Sequence, residues 1–316
     1  MSKKTLHDAT VTAYDEFYTR LEDIENEVRY YKAFFKGKTV LCNCDDPRVS
    51  NFFKFFALKF KELGLKKLIA TCYKNQDIDL FSQNTCEQAV YIIYEGTPEI
   101  DHIPTSDEIK VNYLKGDGDF RSPECIELLK EADIVCTNPP FSLFREYISQ
   151  LFKYNKKFLV IGNTNAATYK EIFPFIQSNQ LWVGVTNYNV GMFFGLPDDA
   201  KKFHHIDENG RKIGRVSTSC WWTNIDNKRR AEEIIPVKKY NPADYPKYDN
   251  YDAIDCGTYT DIPVDYYGVI GVPITFLGHY NPNQFEIVGF RKGNDGKDLS
   301  INGKCPYFRL LIRRKQ

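Results

Sequence analysis

The most constraining stretch of this chain is a short apolar run that ends at two consecutive prolines, residues 133–141. Its first half, residues 133–137, is rich in apolar and β-branched side chains and predicts a buried strand. Pro139 and Pro140 have no backbone N–H to donate to a sheet, so the strand must end before them. The residue before a proline is held extended, which leaves Asn138 at the carboxyl edge of the strand. In open α/β sheets, ligands bind at that edge.

Strand and helix patterns alternate on both sides of this corner. Predicted strands cover residues 38–44, 65–73, 113–120, 133–137 and 157–163, with an extra edge strand at 89–94 and a closing pair at 181–185 and 217–223. Predicted helices cover residues 8–36 (as one or two helices), 50–63, 122–131, 142–152 and 166–177. Ser122 is the expected N-cap of its helix, with Pro123 at the first helical position. The alternation favours an α/β fold with a doubly wound, Rossmann-like sheet and helices on both faces.

Three regions follow from these patterns. Residues 1–36 form an N-terminal helical segment, and residues 37–225 form the sheet domain. Residues 226–316 are dense in Pro, Tyr, Asn and Gly and predict a β-rich C-terminal extension, with β-like runs at 267–277, 285–290 and 306–313. Two interpretations of this extension are open: it carries target recognition, or it only braces the sheet.

Composition argues against several classes of protein. The chain has nine cysteines without a CxxC pair, and its five histidines are not spaced with cysteines as zinc ligands. We therefore expect a reduced protein that requires no metal. No apolar run is long enough to span a bilayer, and the N-terminus lacks the apolar core of a signal peptide. A cytoplasmic protein without membrane contact is expected.

Charge is balanced overall but unevenly distributed. Lys plus Arg and Asp plus Glu both number 42, whereas residues 201–230 alone hold eight bases and three acids. Residues 301–316 hold five bases and no acid. A basic second half on a neutral chain fits a surface that faces double-stranded DNA, although solvated basic loops are the simpler interpretation of either cluster. The phosphate contacts are predicted on the loop 195–216, from Lys201, Lys202, Arg211, Lys212 and Arg215, with His204 and His205 nearby.

The residue types at the proline corner fit chemistry on an amine. Asn138-Pro139-Pro140-Phe141 resembles the catalytic motif of amino-group methyltransferases that use S-adenosylmethionine. The amine of adenine is a poor nucleophile, because its lone pair is delocalised into the ring. The side-chain oxygen of Asn138 and the carbonyl of Pro139 would accept hydrogen bonds from its two N–H groups, while Phe141 would stack on the base. For these four residues alone, a strand that simply ends in a proline loop is an equally good interpretation.

The turn after the first predicted strand lacks the glycine fingerprint of nucleotide-binding sheets. It reads Asp45-Asp46-Pro47 instead. S-adenosylmethionine has no pyrophosphate, so it does not need the close backbone approach that those glycines allow. The two carboxylates either receive the cofactor's ammonium or form an ordinary turn and helix cap. The second strand ends at residues 71–75 without an acid, so the ribose contact is unassigned.

A longer series of motifs narrows the resemblance. Cys-Asp-Asp-Pro-Arg at 44–48, Gly-Asp-Phe-Arg-Ser at 118–122 and the corner with its following helix at 138–147 occur in this order, followed by the runs 262–277 and 280–289. This order is similar to the EcoRI-type family of adenine-specific DNA methyltransferases over nearly the whole chain. The resemblance implies N6 methylation of one adenine in a short DNA sequence. Because a paired base cannot bring its amine to a sheet-edge pocket, we expect that adenine to be flipped out.

By matched position, the resemblance implies residue roles and partners. Asn138, Pro139, Pro140 and Phe141 lie at the chemistry, and Phe17, Tyr18 and Thr19 close over the methionine end of the cofactor. The full set expected at S-adenosylmethionine is Phe17, Tyr18, Thr19, Asn43, Asp45, Asp46, Pro47, Tyr73, Asp119, Phe120 and Asn138. The enzyme is expected to be a monomer, and a cognate restriction endonuclease is a candidate partner.

Two other functions remain open from the sequence. A methyltransferase for another amine, in an RNA base or a protein glutamine, could use the same corner. A non-catalytic DNA-binding module could keep the fold without the cofactor; the intact Asn-Pro-Pro-Phe argues against that alternative, and the missing glycine loop leaves it open.

Overall fold

A computed structural model describes residues 18–44, 46–47, 50–74, 88–96, 109–196, 200–291, 298–305 and 308–316. Phe17, Asp45 and the part of the predicted N-terminal helix before residue 18 lie outside the described residues. Within those ranges, no helix is both long enough and apolar enough to cross a membrane.

The described strands and helices are as follows. The strands are β1 (Tyr18–Thr19), β2 (Thr39–Cys42), β3 (Lys67–Cys72), β4 (Val90–Tyr94), β5 (Val111–Tyr113), β6 (Ile134–Thr137), β7 (Lys157–Asn163), β8 (Trp182–Val183), β9 (Met192–Gly195), β10 (His205–Ile206), β11 (Lys212–Val216), β12 (Ser219–Thr223), β13 (Ile254–Asp255), β14 (Val269–Pro273), β15 (Phe285–Arg291) and β16 (Arg309–Arg314). The α-helices are α1 (Leu21–Val28), α2 (Lys32–Phe35), α3 (Asn51–Leu58), α4 (Phe60–Leu63), α5 (Pro123–Glu131), α6 (Phe144–Lys153) and α7 (Phe173–Gln177).

A mixed sheet of eight strands forms the centre of the fold, in the order β5-β4-β3-β2-β6-β7-β12-β8. The neighbours β3, β2, β6 and β7 run parallel. The strand β12 pairs antiparallel with both β7 and β8, as predicted for the closing pair. The predicted α/β class is therefore confirmed in its broad form.

Apolar side chains cover both faces of this sheet, because neighbouring residues of a strand point to opposite sides. Leu41 and Val135 pack on the face covered by α5 and α6, whereas Val40 and Ile134 pack on the face covered by α1 and α3. All four side chains are at most 2% exposed. Burying each stabilises the fold by roughly 1.5–3 kcal/mol, which makes the sheet a rigid platform for the loops at its edges.

The predicted third core strand at 113–120 is wrong. The strand β5 already ends at Tyr113 and lies at the edge of the sheet, with β4 between it and β3. The strand predicted at 89–94 is therefore present as β4 but is not an edge strand, because β5 pairs with its outer side. The chain turns at Gly118, whose φ of +80° is incompatible with a continuing strand. A Cβ at this position would lie 2.5 Å from the carbonyl oxygen of Cys72. Glycine therefore lets the acidic loop at residues 117–121 pack against the end of β3.

The N-terminal segment is less helical than predicted. Tyr18–Thr19 form the strand β1, which pairs antiparallel with β9 and places Thr19 opposite Phe194. The helix α1 begins only at Leu21, after an extended Arg20. The predicted loop 195–216 also contains strands, since β10 and β11 pair as a hairpin against β9. Pairing with distant strands has overridden the local helical pattern here.

Most other predicted elements are present with shifted ends. Ser122 caps α5 by accepting a hydrogen bond from the backbone N–H of Cys125 at 3.3 Å, and Pro123 follows it, as predicted. The predicted helix 50–63 breaks at Lys59 into α3 and α4. The predicted helix at 166–177 is shorter than expected, because only its second half forms the helix α7.

The predicted β-rich extension is present as a separate sheet of four strands, in the order β13-β14-β16-β15. Its side chains Ile270 and Phe285 belong to the same apolar core as Leu181 beside the large sheet. The Tyr188 hydroxyl also donates to the carbonyl of Ile274 at 2.8 Å. The extension therefore packs directly on the sheet domain, and the domain boundary near residue 226 stays a prediction.

Candidate active site

The predicted site residues follow strands that end at one edge of the sheet. Asn43 follows β2, Tyr73 follows β3 and Asn138 follows β6. Because these three strands are parallel, their carboxyl ends lie at the same edge. Asn43, Tyr73 and Asn138 are therefore brought to one edge of the sheet, whereas the predicted cofactor residues Phe17 and Asp45 lie outside the described residues.

The proline corner has the predicted form. Asn138 is 9% exposed, and Pro139 is also buried. The Pro140 carbonyl accepts a hydrogen bond from the Leu143 N–H at 3.0 Å, which closes a short 3-10 turn leading into α6. Among the described residues, none donates a hydrogen bond to the carbonyl of Pro139. Phe141 is half-buried and packs against the core on the α3 face, so one part of its ring is still accessible.

The turn after β2 bends without glycine. Cys44 has a φ of +83°, in the left-handed region that residues with a side chain rarely adopt. Asp46 is 4% exposed, and its carbonyl accepts a hydrogen bond from the Ser50 N–H at 2.7 Å. Pro47 is also buried. Ser50 caps α3 through the backbone N–H of Phe53, at 3.5 Å, so the turn leads directly into a helix N-terminus.

Asn43 is held between the two sides of the proline corner. The Thr137 hydroxyl donates to the Asn43 carbonyl, and the Tyr147 hydroxyl donates to the Asn43 side-chain oxygen at 2.5 Å. All three residues are at most 7% exposed. Burial raises the pKa of Tyr147 well above its ordinary value, so its hydroxyl remains a donor.

The acidic loop 117–121 lies beside Tyr73. The Asp117 carbonyl accepts a hydrogen bond from the Lys74 N–H at 2.6 Å, which ties the loop to the end of β3. The Asp119 carboxylate receives two hydrogen bonds from the Arg121 guanidinium, at 2.9 and 2.6 Å. A cofactor amine at Asp119 would therefore share this carboxylate with Arg121. Burial, together with the charges of Asp117 and Asp119, raises the pKa of Tyr73.

The strand β1 brings the N-terminal segment to the same edge. Thr19 is 3% exposed, and its carbonyl accepts a hydrogen bond from the Asn51 side chain at 2.8 Å, at the start of α3. A buried carboxylate anchors the helix that follows: Glu27 is 0% exposed and accepts hydrogen bonds from the backbone N–H groups of Val185 and Thr186, both at 2.7 Å. Burial raises the pKa of Glu27 despite these donors.

The predicted DNA-contacting residues lie on the β10–β11 hairpin and beside it. Lys201, Lys202 and Arg211 are exposed, and Arg211 pairs with Asp207 at 3.0 Å in the hairpin turn. The Lys212 ammonium donates to the Ala200 carbonyl at 2.8 Å.

This hairpin belongs to a small sheet of four strands, in the order β1-β9-β11-β10, and an aromatic and cationic cluster surrounds Phe193 on this small sheet. The guanidinium groups of Arg20 and Arg215 lie 5.7 and 6.0 Å from the centre of its ring. The imidazoles of His204 and His205 contact the ring edge-on, with centroids at 5.3 and 5.8 Å. The cluster forms a partly aromatic surface that presents the Arg215 guanidinium, whereas Arg20 also pairs with Glu22 and Asp23 at 2.9 and 3.2 Å.

Two connections place this hairpin near the carboxyl edge of the large sheet. The strand β12 follows β11 after a short turn and begins with Ser219 opposite Asn163, the last residue of β7. Burial, followed by the charge of Arg211, lowers the pKa of Lys54 on α3, so the hairpin turn lies close to that helix. The hairpin therefore lies beside α3 and the carboxyl end of β7.

Several residues that support the site were not predicted from the sequence. Glu27, Tyr147 and Arg121 bind partners that are distant in the sequence, Glu146 in the case of Arg121, and Phe193 lies in a strand whose pairing was unknown. Tyr147 gave the strongest signal, because a tyrosine on the buried face of a helix needs a partner for its hydroxyl. Across the described ranges, no group of three or more His, Cys, Asp or Glu residues could hold a metal ion.

A mixed α/β sheet with an Asn-Pro-Pro-Phe corner at its carboxyl edge, beside acidic and aromatic loops, defines an amino-group methyltransferase. The family model described as adenine-specific methyltransferase EcoRI matches residues 5–315, and the chain belongs to this family. It is a DNA adenine methyltransferase of the restriction–modification type, as its relatives also indicate. The predicted enzyme class is thereby confirmed.

Three curated relatives match over nearly their whole length. The chain is 52% identical to Type II methyltransferase M.EcoRI of Escherichia coli, covering 100% of this chain and 98% of the relative. It is 38% identical to Type II methyltransferase M.MgeORF184P of Mycoplasma genitalium, over 96% of each chain. It is 36% identical to Type II methyltransferase M.MpnI of Mycoplasma pneumoniae, over 96% of this chain and 95% of the relative. No solved structure gives a match.

Proposed function

We propose that this methyltransferase uses S-adenosylmethionine to methylate N6 of an adenine flipped out of double-stranded DNA, and that the reaction takes place at the corner 138–141. The observation that carries the proposal is the buried Asn138 followed by the Pro139 carbonyl, which no described residue uses as an acceptor. Two acceptors fixed on a rigid strand end match the two N–H bonds of an amine. The finer fold class, a Rossmann-like doubly wound sheet, belongs to the same proposal.

The carboxyl edge fits S-adenosylmethionine in its chemistry. The hydroxyl oxygens of Thr19 and Ser142 are buried, and neither has a hydrogen-bond partner among the described residues. Buried polar atoms are normally paired, so these two hydroxyls support a polar ligand nearby. We assign Asp45 and Asp46 to the cofactor's ammonium and Asp119 to its adenine amine. When bound, the cofactor supplies an electrophilic methyl group.

The corner would activate the amine by holding it. The Asn138 side-chain oxygen and the Pro139 carbonyl would each accept a hydrogen bond from one N–H group of the amine. This arrangement favours a pyramidal nitrogen with an available lone pair. These acceptors are fixed before the reaction and stabilise the positive charge as it develops on nitrogen. As the new N–C bond forms, the bond from the methyl group to the cofactor's sulfur would break and leave a neutral thioether; the methylated nitrogen would then lose its extra proton to water, so no base has to remove a proton first. Orientation of the amine supplies much of the remaining rate.

Phe141 would receive the flipped adenine. Extruding a base costs a few kcal/mol for unpairing and unstacking. Stacking on an aromatic ring returns roughly 1–3 kcal/mol per base. Phe141 is half-buried and held by the core on one side, so its ring is a preformed stacking surface.

The small sheet would face the DNA backbone. Lys201, Lys202 and Arg211 are exposed on it, and the cluster around Phe193 adds Arg215. Each phosphate that such a cation neutralises releases counterions, which favours binding at low salt. The C-terminal extension is proposed to take part in target recognition. The enzyme is also proposed to be a monomer, to be cytoplasmic and to act together with a cognate restriction endonuclease.

The experiment that tests this function is the chemical identification of the product. The purified enzyme is incubated with S-adenosylmethionine carrying a labelled methyl group and with genomic DNA from a strain that lacks adenine methylation. We expect labelled N6-methyladenine in a single short sequence. Label in cytosine would contradict the proposal, and so would label only in an RNA or protein substrate offered in parallel.

A further inference from the structure

A set of buried contacts joins the proline corner to the loop that follows β2. Thr137, the residue before Asn138, donates its hydroxyl to the backbone carbonyl of Asn43. Tyr147, on the helix that follows the corner, donates its hydroxyl to the Asn43 side-chain oxygen at 2.5 Å. The strand entering the corner and the helix leaving it therefore bind the same residue, one through its backbone and the other through its side chain.

Tyr147 also contacts the third loop of the site. Its ring packs edge-on against Phe120, with centroids 5.1 Å apart and an interplanar angle of 73°. A single side chain, 1% exposed, thus connects the corner, the turn after β2 and the acidic loop. Such a side chain fixes the distances between these three segments.

The turn needs this support because its backbone is strained. Cys44, directly after Asn43, has a φ of +83°. A residue with a side chain in that region costs about 1–3 kcal/mol and persists only where its surroundings hold it. Two hydrogen bonds on the preceding residue restrict the rotation through which Cys44 would relax. Without them, the turn would populate other conformations, and the loop that bears Asp46 would shift relative to Asn138.

We infer that Tyr147 and Thr137 are positioning residues for the methyl transfer: their hydroxyls hold the cofactor-binding turn in register with the catalytic corner. The inference rests on the proposed function, since it takes Asn43 and Asp46 as part of the cofactor site. Neither residue needs to touch the cofactor or the DNA. Their effect is to raise the fraction of molecules whose site is already in the binding conformation.

The test compares two tyrosines that each lose only a hydroxyl. Tyr147→Phe keeps the ring against Phe120 but removes the donor to Asn43. Tyr188→Phe is the matched control, because Tyr188 is also buried and donates to a backbone carbonyl, that of Ile274 at 2.8 Å, away from the corner. Removing a buried hydrogen-bond partner lowers stability in both variants, so Tm is expected to fall by similar amounts. Only Tyr147→Phe is expected to raise the Kd for S-adenosylmethionine, by about tenfold in titration calorimetry.

Thr137 gives a second, independent comparison. Thr137→Ser keeps the hydroxyl and is expected to bind the cofactor within about twofold of wild type, whereas Thr137→Val loses the donor and is expected to weaken binding by about tenfold. In every variant that binds the cofactor more weakly, the fold-increase in KM for the cofactor should be larger than the fold-decrease in kcat measured at saturating cofactor. The inference is overturned if the two tyrosine variants change the Kd equally, or if Ser and Val at position 137 behave alike.

Failure of this inference differs from failure of the proposed function. If Asn138→Ala retains normal methyl transfer, the catalytic assignment is wrong, while the tyrosine comparison still decides the positioning role. If the wild-type enzyme binds no S-adenosylmethionine, both are overturned.

Discussion

Replacing the buried Glu27 with glutamine should destabilise the protein although the two side chains have the same shape. The Val185 N–H and the Tyr31 hydroxyl donate to one carboxylate oxygen of Glu27, at 2.7 and 2.8 Å. The N–H and the hydroxyl of Thr186 donate to the other oxygen. In Glu27→Gln, one of these oxygens becomes an amide group that cannot accept. The tyrosine or threonine hydroxyl can rotate to accept from it, but a backbone N–H cannot.

One backbone N–H, of residue 185 or 186, therefore stays unpaired whichever way the amide is oriented. A buried unpaired donor costs about 1–3 kcal/mol, so we expect the free energy of unfolding to fall by about 2 kcal/mol. For a chain of 316 residues, that loss corresponds to a drop in Tm of about 3 °C. The helix α1 would also be held less firmly beside β1.

The loss of stability in Glu27→Gln should depend on pH. Burial raises the pKa of Glu27 above its ordinary value of 4.5, so the folded protein favours the protonated form more than the unfolded chain does. This contribution to stability is complete below the ordinary pKa and is lost as the pH rises through the raised value. Protonated Glu27 can donate to a hydroxyl and still accept with both oxygens, whereas glutamine does not titrate. The deficit of Glu27→Gln should therefore be larger at about pH 5 than at about pH 8.

Urea unfolding followed by circular dichroism measures both effects. Glu25→Gln is the matched control, because Glu25 lies on the same helix and is exposed, and its side chain contacts the described residues through a surface ion pair with Lys59 at 3.5 Å. The reasoning is refuted if Glu27→Gln is no less stable than Glu25→Gln. A deficit that grows with increasing pH would refute the sign of the argument.

Three further predictions concern ligands. Phe141→Ala should reduce the flipped state of a 2-aminopurine at the target position while Phe141→Trp preserves it; fluorescence lifetimes of stacked duplex in the wild-type ternary complex would contradict base flipping. Replacing Asp45 and Asp46 together with Asn should weaken S-adenosylmethionine binding in calorimetry while Tm changes little; unchanged affinity would move the ammonium site toward the acidic loop. Arg211→Gln and Arg215→Gln should each reduce the magnitude of the negative slope of log K, the DNA association constant, against log salt concentration by about 0.9. An unchanged slope would exclude a phosphate contact of the replaced arginine.

Local patterns predicted the elements that local forces decide. The strand before Asn138 ends where the prolines remove its donors, and Ser122 caps its helix as expected from its position before Pro123. The carboxyl-edge position of Asn43, Tyr73 and Asn138 also followed, because it depends only on the order of parallel strands. The fold class and most of the candidate site could therefore be derived from the sequence.

Long-range pairings could not be derived in this way. The Glu27 carboxylate binds a backbone N–H 158 residues away, and Tyr147 binds Asn43 across 104 residues. The predicted helix at Tyr18–Thr19 and the predicted core strand at 113–120 failed for the same reason, since β9 and β4 supply partners that no local pattern reveals. These contacts depend on three-dimensional packing, and they cannot be predicted from the residue pattern of a short segment.

The most direct test of the central claim, that the amine is activated at the corner 138–141, is the single-turnover rate of Asn138→Ala on duplex DNA. Removing one preorganised hydrogen-bonding group at a reacting centre typically reduces the rate by roughly 100-fold to 1,000-fold. We expect a loss of that size at saturating S-adenosylmethionine, with the affinities for cofactor and DNA close to those of the wild-type enzyme. A single-turnover rate near that of the wild type would contradict the assignment of the corner as the catalytic site.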